Sequence, residues 1–258
     1  HDKGDFVVDE TEWSGTPDII TVKASSANFK SKIKEAKSKS YHRKKFGEIA
    51  SEVAKNHELT LVMTADLKAI NLAHVDQTNE SDLNLLQRLA KQNGAEMAVK
   101  KDRLLIFKAG SAKTASGKDL PAITLTRNDG DQFRYSEQDR ESDHTGVSAS
   151  YQDTGKAKRE KAVAGEKGKV KHLKGTFANK EEAERASKAK MAEIKRQMAK
   201  FSINLGYGLP DISTESPIKL QGFKNDVDKL KWIVEKATHS YAKSGGLTTK
   251  LELETQTD

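Results

Sequence analysis

The side chains able to do chemistry in these 258 residues are histidines and carboxylates, because the chain has no cysteine. That composition excludes disulfide scaffolds, thiolate zinc sites and cysteine nucleophiles, and it fits folding in a reducing cytoplasm. The seven histidines stand at positions 1, 42, 57, 74, 144, 172 and 239. None is four residues from another, the spacing that would put two metal ligands on one helical face. His74 lies near Asp76, and His144 follows Glu141 and Asp143; each group could bind a metal weakly, but both read as solvated loops. His239, in Thr238-His239-Ser240, could act as a base beside a carboxylate; at a strand end it reads as a hydrogen-bonded structural residue. Asp and Glu total 38, so a carboxylate pair for glycoside cleavage is always available in principle. Sugar clefts usually bring aromatic platforms, however, and aromatics are only 6% here. Trp13 and Trp232 sit in strand-like segments and are expected in cores. No phosphate loop, G-x-S-x-G elbow or H-E-x-x-H motif occurs. The expectation is a chain that is not an enzyme, with no catalytic residue, no cofactor site and no metal site.

Charge raises a second class of function. Lys and Arg total 45 against 38 acidic residues, a formal charge of +7. Such a balance can mark a polyanion partner. Two stretches concentrate it: Lys30, Lys32, Lys34, Lys37, Lys39, Arg43, Lys44 and Lys45, and then residues 155–174. The competing readings are a solvated connector entering a helix for the first, and a long hairpin with a charged tip for the second. No apolar run approaches the ~18 residues that would span a bilayer, so no membrane insertion is expected. The chain opens at His1 inside a strand-like segment, which predicts that an N-terminal portion is lacking. Hydrophobic residues make up 35%. Modest cores follow, with part of their apolar surface completed by partner subunits.

The elements that would position these residues alternate between β and α. Phe6-Val7-Val8 and Ile19–Val22 flank a Ser14–Asp18 turn and read as a hairpin, which cannot stand alone. Phe46, Ile49, Ala50, Val53 and Ala54 form one apolar helical stripe, and Leu59–Val62 is a short strand. A second helix begins near Asn79–Asp82. Asn79 or Ser81 can cap it, Asp82 suits its positive end, and Leu83, Leu86, Leu89 and Ala90 are its buried stripe. Asn93-Gly94 ends it, and the strands 96–99 and 104–108 follow across a Lys100–Arg103 turn. Gly110–Leu120 reads as a linker. Strands are then expected at 123–127, 132–135, 147–151, 162–163 and 170–173. A helix covers 180–200, with Asn179 and Glu182 in a capping-box arrangement and Ala183, Ser187, Met191, Ile194, Met198 and Phe201 on one face. Strands at 201–207, 218–223, 231–238 and 247–254 complete the chain. The fold class is α+β: antiparallel β-barrel domains with a small α/β insertion and one long helix packed on the C-terminal barrel. Residues 1–33 are the closing hairpin of a truncated N-terminal barrel, 34–108 the small α/β domain, 109–120 a linker and 121–258 the second barrel.

An internal echo supports two barrels. Phe6-Val7-Val8-Asp9 resembles Trp232-Ile233-Val234-Glu235, and Val8 and Ser14 are spaced as are Val234 and Ser240. Each block runs through a turn into a Thr-containing strand, as the closing hairpins of two similar barrels would.

Two family resemblances bear on function. Gly47-Glu48-Ile49-Ala50 loosely resembles the helix of a LysM sugar-binding module, which would imply cell-wall binding. The second resemblance runs over nearly the whole chain. His74-Val75-Asp76-Gln77-Thr78-Asn79-Glu80-Ser81-Asp82, Leu86–Ala90, Thr114–Lys118, Leu125–Gly130, Gly222-Phe223, Thr238–Ser240 and Gly246–Glu254 resemble the phage late-control protein D family. That resemblance implies the central hub of a contractile tail baseplate, similar to the hub of T-even phages: a homotrimer with two barrels per subunit. Six barrels would face the sixfold tail tube and the trimer the threefold spike. Implied partners are the tail spike and the tube or tape-measure protein, with transient contact to passing DNA. The implied location is the virion tail, after assembly in the bacterial cytoplasm. The other readings are a LysM-like cell-wall-binding protein and a nucleic-acid-binding protein.

Overall fold

The computed structural model describes residues 6–26, 31–137, 144–153, 158–166 and 168–256. The chain divides into two units, His1–Ala90 with Glu96–Phe107, and Lys91–Ala95 with Lys108–Asp258.

The first unit opens with strands β1 (Phe6–Ser14) and β2 (Ile19–Ser26), an antiparallel hairpin. After a short 3-10 turn come β3 (Ala36–Lys45), α1 (Phe46–Asn56), β4 (Thr60–Met63), α2 (Ala65–Lys68), β5 (Asn71–Ser81), α3 (Asp82–Gln92), β6 (Ala95–Lys100) and β7 (Arg103–Lys108). β3 and β5 form an antiparallel ribbon, and β4, β7 and β6 form a three-stranded sheet in that order, with β4 parallel to β7. The stripe Phe46, Ile49, Ala50, Val53 and Ala54 is buried along all of α1. The Lys45 N–H donates to the Glu48 carboxylate at 2.7 Å and so caps the first turn. Gly47 is a packing requirement, since a Cβ there would lie 2.9 Å from Lys68 Cα in α2. Lys101 and Asp102, both at positive φ, make the tight turn between β6 and β7. α3 buries Asp82, Leu85, Leu86, Leu89 and Ala90. Leu83 is only half-buried, because these five positions already fill one face at three- and four-residue steps.

From Ala36 to Lys45 the basic stretch before α1 is a strand rather than a connector. β3 buries only Tyr41, so it lacks the alternating apolar signal of a half-buried strand. Pairing with β5 forms it.

The second unit holds β8 (Ile123–Thr126), β9 (Gly130–Glu137), β10 (Gly146–Asp153), β11 (Lys158–Gly165), β12 (Val170–Phe177), α4 (Lys180–Gln197), β13 (Ala199–Leu205), β14 (Pro217–Gln221), α5 (Asn225–Asp228), β15 (Trp232–Ala242) and β16 (Gly246–Thr255). Six of these strands form a curled half-barrel sheet in the order β8-β14-β15-β16-β13-β9. The α+β class holds. The sheet is mixed rather than wholly antiparallel, because β8 runs parallel to β14. Its core gathers Phe201, Ile203, Trp232, Val234, Leu251 and Leu253 from the three central strands. Phe201 lies between Trp232 and Phe223, with ring centroids 5.9 and 5.1 Å away.

The stretch 155–174 is not a hairpin. β11 and β12 flank β10, antiparallel on one side and parallel on the other, so the chain crosses the end of β10 between them. Gly146 permits that crossing, since a Cβ there would come within 2.2 Å of the Glu166 carbonyl oxygen. The long helix packs on this three-stranded sheet, with Ala183 joining Ala149, Tyr151 and Ala162 in a small core. Asn179 caps α4 by accepting from the Glu182 N–H at 2.9 Å.

Candidate functional site

The segment richest in chemistry, Asp76 to Asp82, lies mostly in β5 rather than at a helix entry. Asn79 is not a cap. It sits at φ 47° in a bulge where Thr78 and Asn79 oppose the single residue Ser38, and its N–H donates to Ser38 Oγ at 3.2 Å. Asn tolerates this left-handed conformation better than most residues. Ser81 is the cap of α3, because its Oγ accepts from the Asn84 N–H at 3.2 Å. Ser81→Ala should therefore lower stability by about 1 kcal/mol in a thermal melt. Asn79→Ala should act through the strained backbone and leave the α3 cap intact.

Asp82 is the centre of the block. Its buried carboxylate accepts from Lys37 Nζ at 2.7 Å, His57 Nε2 at 2.8 Å and Gln77 Nε2 at 3.0 Å. Burial by itself would raise its pKa, but the hydrogen bonds from Lys37, His57 and Gln77 outweigh it and hold Asp82 below the usual carboxylate value. A depressed folded pKa stabilises the fold above the unfolded value of about 3.9 and loses that contribution as pH falls through the folded one. Asp82→Asn should remove this acid-side loss and flatten the stability profile below about pH 4 in denaturant titrations. The knot ties β3, α1, β5 and α3 together within the first unit. Only Asp82 among its members stood out from the sequence as a helix-end charge. Lys37 was hidden in a polar strand, and His57 and Gln77 carry no local pattern.

The histidines divide among different surroundings. His42 and His74 face each other directly across β3 and β5, with Nδ1 atoms 3.0 Å apart. Asp76 accepts from His74 at 2.7 Å and from Ser40 at 2.6 Å. Hydrogen bonds from the Ser40 hydroxyl first, then from His74, lower the Asp76 pKa. This group is on strands, not in the expected loop. His239 pairs with Thr249 Oγ1 at 3.0 Å across β15 and β16, a structural contact. Ser148 Oγ and His172 Nδ1 lie 2.5 Å apart on register partners of β10 and β12, a cross-strand bond. For His144, its expected neighbours Glu141 and Asp143 lie outside the described residues. Among the described residues, no group of three or more His, Cys, Asp and Glu is arranged to hold a metal ion.

The basic segment of β3 is partly neutralised. Lys37 pairs with Asp82, and Lys39 pairs with Glu52. Lys30 lies outside the described residues, as does the side chain of Lys32.

Among the described residues, the hairpin β1–β2 gathers a cluster of exposed apolar side chains. Trp13 is 74% exposed rather than in a core, and Phe6, Val7 and Val8 are 52%, 55% and 56% exposed. The echo positions Trp232, Ile233 and Val234 are 0%, 0% and 1% exposed. The two hairpins also share an irregularity. The register of β1 slips between Val8 and Glu10, and that of β15 slips between Val234 and Lys236. Asp9 and Glu235 are thus bulged at the same place in the echo.

In the second unit, Met191 and Met198 of the expected α4 stripe line an open cleft of about 640 Å³ with Leu230 and Ala164, instead of packing fully. The Gly110–Leu120 loop is tied down by Glu215, whose buried carboxylate accepts from the Gly110 and Ala112 N–H groups at 2.9 and 3.3 Å. Burial pushes the Glu215 pKa up despite those bonds. Among the described residues, no helix is long and apolar enough to cross a membrane.

The mixed half-barrel sheet, the helix-covered small sheet and the α/β unit make a fold shared with solved structures of tail proteins. The tail protein of Neisseria meningitidis MC58 superposes with a TM-score of 0.71 at 12% identity, over 96% of this chain and 79% of that one. The 43 kDa tail protein of prophage MuSo2 from Shewanella oneidensis gives 0.67 at 15% identity, over 95% and 77%. At such identities the likeness speaks for the fold alone. The sequence goes further: residues 19–245 match the phage tail baseplate hub (GPD) family, and the chain belongs to it. The probable baseplate hub proteins of Escherichia phages 186 and P2 are 38% and 36% identical to it, each over 98% of this chain and 75% of the relative.

Proposed function

We propose that the chain is a structural hub subunit of a contractile phage-type tail baseplate, a homotrimer that joins the tail tube to the central spike and does no catalysis. The observation that carries the two-barrel form of this reading is the repeated hairpin. β1–β2 and β15–β16 share a short sequence match and a bulge position, although a four-residue turn joins the first pair and a three-residue turn the second, and the positions buried in one are open in the other. An isolated two-stranded hairpin with that much apolar surface is marginal in water. It reads as the closing hairpin, residues 1–33, of a first barrel whose other strands come from outside the described residues. Residues 34–108 are the α/β insertion, 109–120 the linker and 121–258 the second barrel. Three such subunits give six barrels, matching a sixfold tube above and a threefold spike below. The tube or tape-measure protein and the spike are the partners, the virion tail is the location, and assembly takes place in the bacterial cytoplasm. The family match also spans the helix behind the LysM resemblance and both basic stretches, so those features belong to a hub.

Immunogold labelling of isolated tails tests the location. Antibody to this chain should mark the baseplate end; label along the tube, or on tail fibres alone, would contradict the hub reading.

A further inference from the structure

We propose that His42 and His74 form a two-ligand clip for a divalent transition-metal ion of the nickel or copper type, with Asp76 as a positioning residue. The two histidines are register partners on an exposed face of the β3–β5 ribbon, with ring centroids 4.6 Å apart. A carboxylate only accepts hydrogen bonds, so the Asp76 oxygen 2.7 Å from His74 Nε2 fixes the proton on that nitrogen. The Nδ1 lone pair of His74 is thereby left facing His42, whose Nδ1 donates to it across 3.0 Å. This is the carboxylate–histidine arrangement that orients imidazole ligands toward a metal. The Ser40 hydroxyl donates to the other Asp76 oxygen at 2.6 Å and holds the carboxylate in place.

The nitrogen separation is compatible with such an ion. With metal–nitrogen bonds of about 2.05 Å, two nitrogens 3.0 Å apart subtend an angle of about 94°. That suits two adjacent positions of a tetragonal or octahedral ion, the geometries preferred by Cu²⁺ and Ni²⁺. A tetrahedral zinc ion would need the nitrogens about 3.3 Å apart. On binding, both imidazoles turn so that their Nδ1 lone pairs converge on the ion, the His42 Nδ1 proton passes to solvent while its Nε2 takes one up, so that both rings stay neutral, and water fills the remaining positions.

The test is a calorimetric titration of the untagged chain with Ni²⁺. One saturable equivalent per chain is expected. His42→Ala and His74→Ala should each abolish it while keeping the parent's thermal melt, since both side chains are exposed. Asp76→Asn should weaken it by about tenfold. In the parent, paramagnetic Ni²⁺ should broaden the imidazole NMR signals of His42 and His74 before those of the other histidines. No saturation at millimolar Ni²⁺, or an equivalent that persists in both histidine variants, would overturn the site. Unchanged affinity in Asp76→Asn would overturn the positioning role.

Discussion

Trp232→Ala is expected to destabilise the second unit by about 3–5 kcal/mol, as large-to-small changes of buried aromatics do. Trp232 is fully buried at the start of β15, against Phe201 and edge-on to Tyr135. Its indole N–H donates to the Val227 carbonyl of α5 at 2.9 Å. Alanine leaves a cavity at the meeting point of β13, β15 and α5, and it leaves that carbonyl with the longer bond from the Leu230 N–H, at 3.3 Å. Trp232→Phe retains much of the volume and loses the hydrogen bond, so it should fall well short of the alanine loss. Denaturant titration followed by far-UV circular dichroism would show the difference. Equal losses in the two variants would mean that the hydrogen bond, not the packing, holds α5 down.

Glu254→Ala is expected to cost a similar amount, about 3–5 kcal/mol, for an electrostatic reason. Glu254 Oε1 accepts from Arg196 Nε at 3.0 Å, with both side chains less than a tenth exposed. Removing the carboxylate strands a buried guanidinium at the end of α4. The same end is held by Thr255, whose hydroxyl lies 3.1 Å from the Arg196 carbonyl oxygen and 3.2 Å from that of Lys195. Replacing both charges with apolar residues, Arg196→Met with Glu254→Leu, should recover most of the loss, because a buried pair contributes little against a well-packed apolar substitute. Added salt should change the parent's stability little through this pair, since buried pairs are poorly screened. A double variant as unstable as Glu254→Ala would show that the residues matter beyond their charge.

Legibility in the sequence followed the strength of the apolar signal. α1, α4 and the strands from β13 to β16 were readable because their buried faces repeat at helix or strand spacing. Leu251 and Leu253 of β16 and Phe46–Ala54 of α1 are examples. β3 was not readable as a strand, because a ribbon with one buried residue is specified by its partner strand. The order β11-β10-β12 was hidden for a related reason: strand neighbours in sequence suggest a hairpin, and only long-range pairing separates β11 from β12. The arrangement of Asp82, Lys37, His57 and Gln77 was illegible because its members come from three elements and the end cap of α1. The Trp13 expectation failed because a strand-like segment implies a partner surface without saying which molecule supplies it. The family resemblance needed none of these details, since it rested on residues spread in order along nearly the whole chain.

The most direct measurement of the central claim is the mass in solution of the protein at the full length of its baseplate-hub relatives, by light scattering after size exclusion. A trimeric two-barrel hub gives three times the chain mass, and Trp13→Ser with Ile20→Ser, at exposed positions of the β1–β2 hairpin, destabilises the first barrel without unfolding the second unit. A monomer at micromolar concentration would contradict the account.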